Sequence, residues 1–134
     1  MKKEITLSVK VTIPNETLEN IFVTAIEGGS NYWYFLSEDA VKKVRNAIPN
    51  KKEPYLSVAI FKAVMSGVDI DINDAENEDE VLGTISLSTM EQRLQMLADS
   101  EQKWALDDEL AENGDSSSSD IVFQYLTLGE VVFG

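Results

Sequence analysis

The 134-residue chain is 43% apolar and 26% charged, an ordinary globular composition and enough for one domain with a real core. It contains no cysteine and no histidine, which excludes disulfides, thiolate or imidazole metal ligands, cysteine nucleophiles and histidine acid–base chemistry. Its formal charge of -13 argues against direct binding to nucleic acid, which calls for a basic face.

Ile5, Leu7, Val9, Val11 and Ile13 alternate with polar residues, a two-residue period that predicts a half-buried strand ended by Pro14. Asn15 is placed to cap a helix with Leu18, Ile21, Phe22, Ala25 and Ile26 on one face, and Gly28-Gly29 is expected to stop it by adopting a left-handed cap. Tyr32-Trp33-Tyr34-Phe35 is then expected to lie extended against the core. Ser37 opens a helix over 38–48, and Pro54 suits the first turn of another that ends at Gly67.

Val68, Ile70 and Ile72 alternate with Asp69 and Asp71, and 81–87 reads as a second strand, so the acidic loop 73–80 joins a hairpin. Ser88 and Glu91 have capping-box spacing for a helix carrying Met90, Leu94, Leu97 and Trp104 on one stripe and running to Leu110. The serine-rich stretch 112–119 reads as a flexible loop. Ser117 and Asp120 repeat the capping spacing before a last helix ended by Gly129, and 131–133 is expected to form an edge strand. The expected fold is a single α+β domain over 1–134, about five helices on a small, mainly antiparallel sheet.

Seventeen of the 24 acidic residues lie between Asp69 and Glu130, opposed there only by Arg93 and Lys103. Such a field acts on partners more than on fold: it repels nucleic acid and anionic membrane and attracts basic surfaces or divalent cations. The expected contacts with a basic protein are Asp69, Asp71, Asp74, Glu76, Glu78, Asp79 and Glu80, with Asp107, Asp108, Glu109 and Glu112. A weaker alternative is a cation site. Asp69, Asp71, Asn73, Asn77 and Glu80 occupy the first, third, fifth, ninth and twelfth positions of an EF-hand loop, but Asp74 stands where that loop needs glycine. No constellation for catalysis emerges, so the expectation is a non-enzymatic protein without cofactors. No run approaches the ~18 apolar residues of a membrane span, and alternation follows Met1-Lys2-Lys3 where a leader would be continuously apolar. A cytoplasmic location is expected.

Two local segments carry a resemblance. Thr24-Ala25-Ile26-Glu27-Gly28-Gly29-Ser30-Asn31-Tyr32-Trp33, and Asp120 and Gln124 followed by Gly129-Glu130-Val131-Val132-Phe133-Gly134, resemble segments of small proteins of unassigned activity encoded by tailed phages and related mobile elements. The resemblance implies a phage or mobile-element accessory protein and carries over no catalytic residue. Asp120 and Gln124, one helical turn apart, are placed to bond the turn at Asn31 and Tyr32, which would make the two segments one packed unit; the functional alternative is a shared pocket of Glu27, Tyr32, Trp33, Asp120 and Gln124. On this basis the leading expectation is an acidic, nucleic-acid-mimicking inhibitor of a host defence protein. The others are a small-ligand or cation-binding module, or a homo-oligomeric virion component assembled through Val131 to Phe133.

Overall fold

Pro14, with φ -58° and an extended ψ, sets the start of α1 (Asn15–Thr24), so Asn15 is the first helical residue and not its cap. The computed structural model describes residues 3–134; Met1 and Lys2, where the comparison with a leader began, lie outside the described residues. Leu18, Ile21 and Phe22 face the core from α1. The helix then widens into a π-helical turn, Ala25–Gly29, closed by Ser30 N donating to Ala25 O at 2.8 Å. Neither Gly28 nor Gly29 takes a positive φ, so the expected left-handed cap is absent. Gly29 is instead a close approach, since a Cβ there would lie 2.6 Å from the Ser116 carbonyl oxygen.

The aromatic stretch divides by face. Trp33 is buried, and Tyr34–Phe35 forms β1. Ser37 Oγ accepts from Ala40 N and caps α2 (Glu38–Ala47). Then α3 (Leu56–Met65) begins two residues after Pro54 and ends at Gly67, whose φ of +101° needs glycine. The hairpin is present, with β2 (Ile70–Asp74) pairing β3 (Val81–Ile85) antiparallel, Ile70 opposite Ile85. β1 pairs the other side of β2, giving the order β1-β2-β3.

Beyond the sheet, three expected boundaries move. Ser86, not Ser88, caps α4 (Leu87–Ala98), because the chain turns from strand to helix within one residue. The helix predicted to reach Leu110 breaks after Ala98, where Ser100 Oγ turns back to Leu97 O at 2.7 Å. It resumes as α5 (Lys103–Leu110), and this rotates Trp104 out of the stripe to 46% exposure. Asp115 caps α6 (Ser116–Leu128), receiving bonds from Ser117 N and Ser118 N while Ser118 Oγ accepts from Asp115 N. The serines expected in a flexible loop are therefore the first turn of a helix. Gly129, at φ +81°, ends α6 as expected.

Among the described residues the result is six α-helices on a three-stranded antiparallel sheet in a single compact α+β domain. At its centre lie Phe22, Trp33, Ile60, Ile70, Ile85, Leu97 and Phe123, with Phe22 and Phe123 edge-to-face at 6.0 Å. Residues 3–13 do not enter the sheet: they have no regular structure, and Ile5, Leu7, Val9 and Val11 are 61% or more exposed. The expected edge strand at 131–133 is also absent. Among the described residues no helix is long and apolar enough to cross a membrane.

Candidate functional site

The close approach at Gly29 brings the turn after α1 against the start of α6, and Asp120 is the residue it meets. Asp120 Oδ1 accepts from Ser30 Oγ at 2.7 Å and Trp33 Nε1 at 2.8 Å. Its Oδ2 accepts from Tyr32 OH at 2.6 Å and Gln124 Nε2 at 3.2 Å. Gln124 also clamps the C-terminal segment: its Oε1 accepts from Val132 N and Phe133 N, and its Nε2 donates to Phe133 O. Phe133 stacks on Trp33 with centroids 5.2 Å apart and planes 7° apart.

A carboxylate has about four acceptor sites and a carboxamide two donors and two acceptor sites. Asp120 and Gln124 fill all of theirs within the chain. The two resembling segments therefore form one packed unit, and four of the five residues considered for a pocket hold each other. The fifth, Glu27, is exposed and takes a bond from Ser57 Oγ of α3 instead. Tyr32 bears the electrostatic mark of this arrangement. Burial first, then its bond to the Asp120 carboxylate and that charge, push its phenol from 10.0 up to about 12. The backbone N–H groups of Val132 and Phe133 and the Phe133 carbonyl are thus taken up by Gln124.

The acidic residues form two groups on different elements. On α5, Asp107 is exposed and stands 3.6 Å from Lys103. Glu109 is not an outward contact: it is buried, and its Oε1 accepts from Ser118 Oγ and Ser119 Oγ at 2.9 and 2.6 Å. Asp108 is half-buried, and Glu112 lines a cleft of about 510 Å³ beside Pro14, Glu109, Gly114 and Ser119.

The second group surrounds the hairpin. Asp69, Glu76, Glu78, Asp79 and Glu80 are exposed, and Asp74 Oδ1 accepts from Glu76 N at 2.9 Å. A bulge between Ile72 and Asn73 breaks the alternation, so both side chains turn inward while Asp71 stays outside, bonded by Thr84 Oγ1 at 2.7 Å. The bulge breaks the EF-hand spacing: Asn73 is buried while Asp71 stays exposed, and Asn77 Nδ2 lies 3.5 Å from Glu80 Oε2. Among the described residues, no three acidic side chains stand together closely enough to hold a metal ion.

What the bulge makes instead is a cleft of about 340 Å³ between the hairpin and α2. Asp71, Glu78 and Asp79 line it from the hairpin and Asp39 and Lys43 from α2, four carboxylates against one ammonium. Asn73 also lines it. Its Nδ2 donates to Glu78 O at 2.7 Å, and its Oδ1 is buried without a hydrogen-bond partner. Sequence reasoning missed Asp39, Lys43 and the special role of Asn73. Spacing of Asp39 and Lys43 at i, i+4 on a capped helix was the available signal for the first two. Comparison of the chain with protein-family models, with curated proteins and with solved structures returns no match.

Proposed function

We propose that the chain is a non-enzymatic binding protein that seats a cationic side chain of a basic partner protein in the cleft between the β2–β3 hairpin and α2. The observation that carries this reading is a cleft walled by Asp39, Asp71, Glu78 and Asp79 against Lys43 alone, with Asn73, whose buried Oδ1 has no partner, also in its lining. A buried acceptor without a donor is unfavourable by about 1–3 kcal/mol. A guanidinium or ammonium brings several donors and a charge that four carboxylates stabilise. The remaining exposed acids of the hairpin, Asp69, Glu76 and Glu80, extend the negative surface around the cleft. Carboxylates on such a scaffold stand in for phosphates, so the fitting partner is a protein whose basic groove otherwise holds nucleic acid. With the resemblance to mobile-element proteins, the role is that of an accessory protein that occupies such a groove on a host defence protein.

The test is capture of partners by the purified full chain from host lysate, at low and high salt, with identification by mass spectrometry. One dominant nucleic-acid-binding protein is expected, released at high salt because exposed charges are screened over about 8 Å at physiological ionic strength, and displaced by added DNA or RNA. Asp71→Asn/Glu78→Gln/Asp79→Asn is expected to lose that protein while Asp107→Asn/Glu112→Gln keeps it. Capture that ignores salt, or that the hairpin variant retains, overturns the proposal.

A further inference from the structure

We propose that residues 3–13 are a β-strand donated to a second copy of the chain, where they add beside β3, and that two copies exchange these arms reciprocally to form a closed dimer. This rests on the arm and the β3 edge and not on occupation of the cleft, and it stands whether or not a basic partner exists.

The arm has the pattern of a half-buried strand, but of its apolar positions only Ile13 packs on its own subunit. Ile5 is 89%, Leu7 76%, Val9 75% and Val11 61% exposed. Four β-compatible apolar side chains on one face of an extended segment are a surface that normally finds cover. The edge that can receive them is also on the page. β3 is the outer strand of the sheet, five residues long. None of the backbone groups of 81–85 bonds to anything except β2 among the described residues. An open edge of this kind templates strand addition. Val81 and Leu87, 51% and 40% exposed, flank it with apolar surface. The other edge, β1, has only two residues.

Charge selects the same pairing. Within 1–13 the chain has Lys2, Lys3 and Lys10 against Glu4 alone, whereas the rest of the sequence carries the whole negative excess. A basic strand is thus matched to an acidic body, and the hairpin that contains β3 is the most acidic part of it.

Within one subunit the arm does not lie on this edge: residues 3–13 have no regular structure, and β3 pairs only with β2. A second copy can lay its arm along the open edge, and reciprocal exchange uses both arms and both edges in one two-fold arrangement.

The experiment measures the solution mass of the full chain by light scattering across a concentration series, with hydrogen exchange of the β3 amides in parallel. A mass of twice 14.9 kDa is expected, with every second β3 amide protected. Val9→Pro, which removes a ladder donor, and Leu7→Glu/Val9→Glu, which reverses the apolar face and the charge, are each expected to halve the mass and to release β3 protection. Because Leu7 and Val9 are exposed and only Ile13 of the arm packs on the core, Trp33 fluorescence should stay unchanged, which confirms that the body is folded. A monomer at every concentration overturns the proposal. So does a dimer that neither variant dissociates, or one that dissociates with β3 exchange unaltered.

Discussion

Asp120 and Glu109 are both buried carboxylates beside the first turns of α6, yet they answer differently to the same chemical change. Asp120 uses both oxygens for two donors each, so Asp120→Asn turns an amide N–H pair against two of them. Loss of about 2 kcal/mol in urea unfolding is expected, the usual scale for bonds to a charged group. Glu109 receives both serine hydroxyls on Oε1 alone. Glu109→Gln keeps an acceptor there and should lose less than half as much. Tyr32 supplies a pH signature. Its folded-state pKa of about 12 lies above its ordinary 10.0, so the fold favours the neutral phenol. That contribution is complete below pH 10 and disappears as pH rises through 12. Melting curves across this window should show an extra decline in the parent protein that Tyr32→Phe lacks, and an ultraviolet titration should show the phenol ionising earlier in Asp120→Asn. The pairing of Asp120 and Gln124 with the aromatic turn was readable from their i, i+4 spacing and from glycine beside aromatics. Ser30 as a donor was not, because a π-helical turn sets its direction and leaves no mark in the sequence pattern. Asn73 was read as a ligand of the loop because it holds the fifth position of the EF-hand spacing, and the bulge that buries it leaves no mark in that spacing.

Two glycines decide how the elements meet. At Gly83 a Cβ would fall 2.4 Å from the Thr127 carbonyl oxygen, and at Gly29 2.6 Å from that of Ser116, both rigid helix backbone. These are the two ends of α6, so each glycine docks one end of that helix. Gly29→Ala and Gly83→Ala should each destabilise by about 1–3 kcal/mol through forced displacement. Gly28→Ala meets nothing within 4 Å and should be neutral or stabilising by up to about 1 kcal/mol, since it only reduces the freedom of the unfolded chain. Thermal or denaturant unfolding of the three variants checks the order. At this scale the sequence was legible where one signal stood alone, as with Ser37 before α2 or Gly129 after α6. It was ambiguous where several capping residues crowd together. Ser86 and Ser88, or Asp115 and Ser117, present the same chemistry two residues apart, and the choice follows from where the preceding chain arrives. The break between α4 and α5 is likewise a matter of packing, since apolar spacing continues across it.

For the whole molecule, the fold class and the hairpin followed from periodicity, because alternation and helical spacing each match one kind of element. The arm shows the limit of that logic. A two-residue period establishes that a segment suits a sheet and says nothing about which sheet. The charge of -13 was equally plain, but its grouping was not: α5 packs on α1, α4 and α6, whereas β2 packs on β1, β3 and α2. One acidic tract in sequence thus becomes two patches in space, and two of its members, Glu109 and Asp120, turn inside. Self-repulsion of so many like charges weakens the compact state. Raising the ionic strength from 0.01 M to 0.15 M shortens the screening length from about 30 Å to about 8 Å, and the melting temperature is expected to rise by a few degrees. A fall would mean that favourable ion pairs outweigh the repulsion.

The junction at Trp33 has a consequence for biosynthesis. Its indole is made early, but the carboxylate that receives its N–H and the ring that covers its face belong to residues 120 and 133. A nascent chain that has emerged from the ribosome only through α5 therefore presents a bare tryptophan and an unanchored π-helical turn. Contacts of such long sequence separation form late, and an exposed apolar intermediate is what chaperones and proteases recognise. Synthesis interrupted before Asp120 would leave a fragment marked for removal by its own unpaired tryptophan.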